Sequence, residues 1–417
     1  MLTDTLAIDF GTSNSAAAIL EGGHIRRLPI EAGAETLPTA VFFPADGGPM
    51  VLGAAAAEAL IAGEEGRYMR ALKSVLGTSL LHESRLIGGR RRTIAEIIAD
   101  FLRHLRQRAE AGTGRRFTRA LSGRPVHFHT NAPELDAQAE ADLRACYAAA
   151  GFDEVRFLAE PEAAAIASHG MGNRGDLGLI VDIGGGTSDF SVFRSQAPGA
   201  GALPEILASH GIRLGGTDFD HAVSMAHAMP ALGYGGQLRR EMGAGLLPVP
   251  HALYVDLATW AKIPFLYTPE TRRAVARMAK LAVAPEQMGR LVTVLEEELG
   301  HELAFAVEKG KIAANSGVAE AWVEMGFIDR GLRQPVTGDS LDRALTAYRA
   351  ELRAAAAETL QLAGVAPEAI GRVILVGGSS LMRAVSEEAM ALCPDATVLR
   401  SEAFTAVVDG LALATAA

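Results

Sequence analysis

The chain has 417 residues, 49% of them hydrophobic, which is enough to bury substantial cores in roughly two or three domains. Its formal net charge of −10 argues against a nucleic-acid-binding surface, because phosphate binding needs a concentrated basic face. The two cysteines, Cys146 and Cys393, are too few and too far apart for a disulfide framework or a thiolate metal site.

The amino terminus, MLTDTLAIDFGT, has no basic region ahead of an apolar segment, so we expect no signal peptide. No apolar run reaches the roughly 20 residues that a membrane helix needs. We therefore expect a cytoplasmic protein with no membrane and no nucleic-acid partner.

Two stretches of the chain follow one plan: an apolar strand with an Asp, a glycine turn, hydroxyl residues and a second apolar strand. They are LAIDFGTSNSAAAI (residues 6–19) and LGLIVDIGGGTSDFSVF (residues 177–193). An internal repeat of this kind predicts two similar lobes.

Glycine turns that follow strands expose backbone N–H groups to anions. Asp9 and Asp182 stand just before these turns, where they would repel phosphate unless a divalent cation or its water shell lay between. The pattern therefore predicts a Mg-nucleotide site with Thr12, Ser13 and Thr187 as hydroxyl donors. The alternative is that the two aspartates only cap turns.

The first of two insertions, about residues 39–116, precedes a strand predicted for RPVHFHT (residues 124–130). It contains Lys73, which is the only lysine before Lys262 in a chain that otherwise uses arginine. A compact ammonium suits a phosphate site. A chance surface lysine is the alternative.

Alanine-rich helices are predicted at residues 133–150 and 340–363, and a third strand-to-glycine unit, VILVGGSS, occupies residues 373–380. Strands that alternate with such helices indicate an α/β fold. Residues 235–250, rich in Gly and Pro, are expected to form an irregular connection inside the second insertion.

No GxxxxGK[ST] segment is present, and no GxGxxG follows a strand, so the phosphate site must be assembled from separate loops. Six segments, in this order, resemble the nucleotide-binding domain of the heat-shock protein 70 (DnaK-type) family: IDFGTSNS, AEPEAAAIASHG, VDIGGGTSDFSV, RLGGTDFD, VEKGKIAANS and VILVGGSS. RALKSVLG and SGRPVHFH make the chain similar to the short bacterial YegD-like members.

The resemblance implies an actin-like ATPase (ribonuclease H-like) fold with two lobes, a duplicated core and two inserted subdomains. Lobe I would be residues 1–176, with core 1–38 and 117–176, insertion about 39–116 and a returning helix at about 404–417. Lobe II would be residues 177–403, with core 177–219 and about 328–403 and insertion about 220–327.

The resemblance also assigns roles to residues around ATP or ADP and Mg²⁺. The catalytic set is Lys73, Glu160, Asp182 and Thr187. Metal contacts, mostly through water, would come from Asp9, Asp182 and Glu160. The phosphate loops are Gly11, Thr12, Ser13, Asn14, Gly184, Gly185, Gly186, Gly215 and Gly216. Glu160 has a second interpretation as a plain acidic residue at a helix start.

On the adenosine side, the resemblance assigns Glu308 and Lys311 to the ribose and Gly377, Gly378 and Ser379 to the purine loop. The two arginines that sandwich adenine in the family are replaced here by Ile312 and Leu381. We therefore expect weaker or altered base recognition, since the cation–π contribution of a guanidinium is lost.

Our leading interpretation is an ATPase whose hydrolysis step drives a conformational switch read by an unidentified partner or co-chaperone protein. Residues 381–417 are too short for a peptide-binding half, so we expect none. Three alternatives remain open: a nucleotide-binding scaffold with little turnover, a small-molecule kinase and a filament-forming ATPase.

Overall fold

The computed structural model describes residues 4–31, 33–168, 175–196, 204–400 and 405–416. Contacts divide the chain into two compact units. The core unit comprises Met1–Gly216 and Arg349–Ala417, and the insert unit comprises Thr217–Tyr348.

The strands, in chain order, are β1 (Thr5–Phe10), β2 (Asn14–Glu21), β3 (His24–Arg27), β4 (Thr36–Pro38), β5 (Ala40–Pro44), β6 (Val51–Leu52), β7 (Gly66–Arg70), β8 (Arg85–Ile87), β9 (Arg90–Arg92), β10 (Arg119–Arg124), β11 (Glu154–Ala159), β12 (Leu177–Ile183), β13 (Ser188–Arg194), β14 (Glu205–Ile212), β15 (Gln237–Arg239), β16 (Leu246–Pro248), β17 (Trp322–Glu324), β18 (Arg333–Pro335), β19 (Ile370–Val376) and β20 (Thr397–Arg400).

The α-helices, in chain order, are α1 (Ala54–Ile61), α2 (Ile94–Thr113), α3 (Pro133–Ala149), α4 (Glu160–Ala167), α5 (Gly216–Val223), α6 (Met229–Ala231), α7 (Ala252–Leu257), α8 (Pro269–Leu281), α9 (Pro285–Glu296), α10 (Gly300–Asn315), α11 (Gly338–Ala344), α12 (Thr346–Leu362), α13 (Arg383–Leu392) and α14 (Ala406–Ala414). Short 3₁₀ turns occupy Leu72–Val75, Ser79–His82, Ile263–Phe265, Pro367–Ala369 and Gly378–Leu381, and a π-turn lies at Ser224–Ala228.

Two large sheets of the core unit share one topology. The first runs β11-β10-β1-β2-β3, with β4 on β2, and the second runs β20-β19-β12-β13-β14. Apart from β4, which is antiparallel to β2, the first three strands of each sheet form an antiparallel meander, and the two later strands lie parallel to the first. The predicted internal repeat and the α/β fold are therefore confirmed.

A small-residue core lies between the sheets. It joins Ala7, Ala16 and Ala18 of the first sheet to Ile180 and Ile374 of the second through the alanine-rich helices α4 and α14. Small side chains let the two helices approach closely. A Cβ on Gly410 of α14 would lie well under 3.0 Å from the carbonyl oxygen of Ala163 in α4, so the helix crossing requires glycine there.

The first insertion of the core unit contains the small sheet β6-β5-β7, the hairpin β8–β9 and α2. Helix α2 begins at a capping box, in which Thr93 and Glu96 each bond the other's backbone N–H. Both large sheets belong to the core unit, so the predicted lobe boundary between residues 176 and 177 stays a prediction.

Three local predictions differ from the structure. The strand predicted for residues 124–130 ends at Arg124, because Pro125 cannot donate a ladder hydrogen bond. The helix predicted for residues 340–363 is α11 followed by α12, interrupted at Leu345, whose ψ of 1° leaves the helical range. Within residues 235–250, β15 and β16 form a short antiparallel hairpin instead of an irregular connection.

The insert unit is mainly helical, with the two hairpins β15–β16 and β17–β18. Its largest fully buried side chain is Trp260, whose indole Nε1–H donates to Asp220 Oδ2 at 3.1 Å. Residues 169–170 of the AEPEAAAIASHG segment and the ends of the helix predicted at about 404–417 lie outside the described residues.

Candidate functional site

The two repeated turns are built identically. The N–H of Gly11 donates to the carbonyl of Asn14 at 3.1 Å, and the N–H of Gly184 donates to the carbonyl of Thr187 at 3.0 Å. In both turns a hydrogen bond thus closes four residues between antiparallel strands. Asp9 and Asp182 occupy the same place, on the penultimate residue of the strand before the turn.

The turns face each other in the core unit. A Cβ on Gly185 would fall well under 3.0 Å from Ser13 Oγ, and a Cβ on Gly186 would lie 3.1 Å from Thr12 Oγ1. The glycines at these positions therefore permit a close approach that no larger residue could make. The predicted phosphate loops of the two repeats are brought together.

Two further glycine segments join them. Gly216 N–H donates to the carbonyl of Gly184 at 3.0 Å, and Gly215 lies against the backbone of Gly186. Gly377, with φ 80°, begins the 3₁₀ turn that contains Gly378 and Ser379; a Cβ on it would meet Asp182 Oδ1 at 2.7 Å. Four separate loops thus converge in one place.

Carboxylates lie beneath these loops. Burial, followed by the charge of Glu160, raises the pKa of Asp9 to about 7, and the same two causes raise that of Asp189 to about 8. The pKa of Asp182 is raised well above its usual value, again chiefly by burial and then by Glu160. Ionising several buried carboxyl groups that lie close together costs free energy, because they repel one another and little positive charge is nearby.

Lys73 supplies one positive charge to this cluster. Its Nζ lies 2.6 Å from Glu160 Oε1, and both side chains are buried. Glu160 is the first residue of α4, and Lys73 lies in the 3₁₀ turn after β7. The structure therefore pairs two residues that the sequence placed in the catalytic set, although 87 positions separate them.

The lysine turn begins with an unusual backbone conformation. Ala71 has φ 60°, which is rare for a residue other than glycine and costs free energy of about 1 kcal/mol or more. Gly77 N–H donates to buried Asp142 at 3.0 Å, and His129 Nε2 lies 2.8 Å from the carbonyl oxygen of Leu76. These contacts hold the turn in the conformation that buries Lys73.

A small cleft opens beside Lys73. It is lined by Thr12, Gly186 and Thr187 from the repeated turns. Its other walls come from the lysine turn, from the loop after β10 and from Arg213, and the sequence assigned none of these wall residues to the site. The remaining wall residues are Ser74, Leu76, Pro125, Phe128, His129 and Arg213. In the sequence, these residues were marked only by lying near the segments that the family resemblance assigned to the site.

Asp189 joins the two sheets at this cleft. It lies opposite Asp182 in the β12–β13 pair, and its Oδ1 accepts the backbone N–H of Val126 at 2.6 Å. A Cβ on Gly211 of β14 would collide with Asp189 Oδ1. The carboxylate of Asp189 therefore ties the loop after β10 to the second repeat.

The residues suit a magnesium ion held through water. Asp182 Oδ2 is buried and accepts no hydrogen bond from any residue that the structure describes. Carboxylate oxygens are the ligands that Mg²⁺ prefers, and Mg²⁺ commonly keeps several of its waters. Within the described part of the chain, no three His, Cys, Asp or Glu side chains are arranged to hold a metal directly.

The predicted ribose residues lie on α10 of the insert unit. Lys311 is buried and forms an ion pair with Asp220 Oδ1 at 2.6 Å, so its ammonium is already engaged. Burial is the main cause that raises the pKa of Asp220, and Lys311 opposes it. Ile312 is 53% exposed, and Leu381, at the end of the 3₁₀ turn in the core unit, is 42% exposed.

The duplicated sheets, the converging glycine turns and the buried carboxylates belong to an α/β protein, and they are the features that a phosphate site beside a cation needs. Residues 83–231 match the family model described as Hsp70 protein. The chain is also 33% identical, over 225 residues, to a protein named chaperone protein DnaK from Endomicrobium trichonymphae.

That alignment covers 52% of this chain and 34% of the relative, so the chain spans about a third of the length of the curated relative it matches. Both matches cover part of the chain and show that this part is similar to the Hsp70 family. Among the described helices, none is both long and apolar enough to cross a membrane.

Proposed function

We propose that the chain binds Mg-ATP in the core unit and hydrolyses it to ADP and phosphate, as the nucleotide-binding part of an actin-like ATPase. The observation that carries the proposal is the convergence of four glycine loops, at Gly11, Gly184, Gly215 and Gly377, above buried carboxylates and Lys73.

Each set of residues has a role in this proposal. The turns of Thr12–Ser13 and Gly185–Gly186 offer backbone and hydroxyl donors to phosphate oxygens. Asp9, Asp182 and Glu160 would hold the ion's water shell, and bound Mg²⁺ would neutralise developing charge on the phosphates.

Lys73 carries the catalytic step in this proposal. Its ammonium, held by Glu160, lines the same cleft as Thr12 and Thr187. A positive charge fixed there would stabilise the γ-phosphoryl group as its bond to ADP breaks and would orient the attacking water. Asp182, with one unsatisfied carboxylate oxygen, would accept a hydrogen bond from that water.

The first test is nucleotide binding itself. We expect isothermal titration to detect binding of ATP and ADP in the presence of Mg²⁺ and EDTA to weaken it, because the buried carboxylates repel phosphate without the cation. An Asp9→Asn and Asp182→Asn double variant should lose part of the Mg²⁺ dependence. Absence of heat and of a thermal shift at millimolar nucleotide would refute the proposal.

The base site gives a second prediction. Restoring guanidinium groups with Ile312→Arg and Leu381→Arg should raise ATP affinity by roughly tenfold and sharpen the preference for ATP over GTP, since stacked arginines add cation–π attraction. Both positions are exposed enough to accept arginine.

The control for this prediction is Val318→Arg with Val283→Arg, two other exposed apolar positions of the insert unit that add the same two charges elsewhere. If the Ile312 and Leu381 double variant and the control change affinity equally, general charge attraction explains the gain. An unchanged ATP/GTP ratio would show that these positions do not face the base.

In line with its similarity to the Hsp70 family, the chain would use hydrolysis to change its conformation, which a partner or co-chaperone protein would detect. The existence of such a partner protein is part of this proposal. The alternative is a nucleotide-binding scaffold with little turnover. Comparing the turnover of the wild type with that of Lys73→Ala distinguishes this scaffold from an ATPase.

A further inference from the structure

Arg213 connects the second sheet to the lysine turn. It directly follows β14, and its backbone N–H donates to Thr130 Oγ1 at 2.7 Å. Its guanidinium Nη2 donates to the carbonyl oxygen of Ser74, also at 2.7 Å. Ser74 is the residue after Lys73, and Thr130 ends the loop that walls the cleft. One residue therefore bonds to two segments of the first half of the chain.

The other described hydrogen bonds of this turn come from the first half of the chain. Ser74 Oγ donates to Ala71, Gly77 donates to Asp142, and the carbonyl of Leu76 faces His129. Arg213 is the contact that comes from the second half. The Arg213–Ser74 bond therefore links the lysine turn directly to the strand β14, which precedes Arg213 in the second sheet.

The chemistry of the contact suits arginine. A guanidinium always carries its charge, and its planar donors are pre-organised, so it holds a carbonyl more rigidly than a flexible ammonium would. The backbone anchor at Thr130 fixes the start of the side chain. Arg213 is itself exposed, so few other contacts are lost when the side chain is changed.

We propose that Arg213 is a positioning residue for Lys73. By bonding to Ser74 it clamps the lysine turn to the second sheet, and this keeps the ammonium at a fixed position relative to the glycine turns. This inference rests on the proposed role of Lys73 in hydrolysis. Arg213 acts through the carbonyl of Ser74, and its loss should therefore affect the reaction rate more than ATP binding.

The test compares Arg213→Ala, Arg213→Lys and the control Arg194→Ala, which removes another exposed arginine of the same sheet that pairs with Glu205. Hydrogen–deuterium exchange is measured without nucleotide. Single-turnover hydrolysis and a binding titration are then measured with Mg-ATP. The exchange experiment needs no enzymatic activity.

We expect Arg213→Ala to speed amide exchange in residues 71–77 and to leave exchange in α2 and β12 unchanged. We expect it to slow single-turnover hydrolysis by about tenfold, the effect of one charge-assisted hydrogen bond, with less than about a twofold change in ATP affinity. Arg213→Lys should recover part of the rate, and Arg194→Ala should match the wild type.

The outcomes separate the two claims. Unchanged exchange in residues 71–77 would overturn the clamp, whatever the rate. Faster exchange with an unchanged hydrolysis rate would overturn the positioning role. Wild-type protein that binds ATP without hydrolysing it would refute the proposed ATPase, and with it the catalytic part of this inference, while the exchange data would still decide whether the clamp exists.

Discussion

Replacing Lys73 with alanine should slow hydrolysis about 100- to 1,000-fold while changing the affinity for Mg-ATP much less. An ammonium that acts mainly on the charge developing in the transition state contributes to the rate and little to ground-state binding. Its place beside the cleft and its pairing with Glu160 at 2.6 Å support that role. Single-turnover hydrolysis and a separate binding titration measure the two quantities.

The buried pair complicates this experiment in a predictable way. Lys73→Ala leaves Glu160 buried without its cation, and breaking a buried pair can destabilise a protein by roughly 3–5 kcal/mol. A Lys73→Ala variant with Glu160→Gln removes that unpaired charge. If the double variant regains stability and stays slow, the lost rate belongs to the ammonium.

Lys262→Ala is a matched control, because Lys262 is half exposed and pairs with Asp256 on the surface of the insert unit. It should change neither rate nor affinity. Wild-type turnover equal to that of Lys73→Ala, with both binding ATP normally, would favour a nucleotide-binding scaffold over an ATPase.

Adding one methyl group at the centre of the core unit should be costly. Gly410→Ala places a Cβ well under 3.0 Å from the carbonyl of Ala163, so α4 and α14 must separate. Overpacking of this kind usually costs about 1–3 kcal/mol, and we expect the upper end, because the obstacle is backbone rather than a flexible side chain. Next to it, Asp409 accepts two hydrogen bonds from Arg27, at 2.9 and 2.7 Å, which resist a shift of α14.

The control for Gly410→Ala is Gly112→Ala in α2, where nothing lies within 4 Å of an added Cβ. That change should be neutral or stabilise by roughly 0.5–1 kcal/mol, since alanine favours a helix over glycine. Urea unfolding followed by circular dichroism measures both midpoints. Equal midpoints for Gly410→Ala and the wild type would mean that the helices do not cross as described.

The sequence by itself predicted the α/β class and the repeated turns, and a family resemblance placed Lys73, Glu160 and Asp182 in one catalytic set. These features are local or recurrent: a strand with one Asp that ends in glycine looks the same at residues 9 and 182. The family resemblance named Asp9, Glu160 and Asp182 as metal contacts. The structure buries their carboxyl groups so close together that the charge of Glu160 raises the pKa of Asp9 and of Asp182.

Other features depended on tertiary packing. A strand was predicted for residues 124–130, but Pro125 ends the strand at Arg124. The loop that follows lines the cleft. Lys311 proved to be engaged by Asp220, 91 positions away, in a buried pair that no spacing rule reveals. Arg213 belonged to a recognised segment, but its guanidinium contacts Ser74, 139 positions away.

The physical reason is the range of the interactions. Turn closure, strand alternation and glycine requirements are fixed within a few residues, and a sequence displays them directly. Burial of a charge, the partner of an ammonium and the approach of two helices at Gly410 arise only when distant segments meet. The sequence therefore determined which residue types the phosphate loops contain, and the tertiary structure decided which of them share a site.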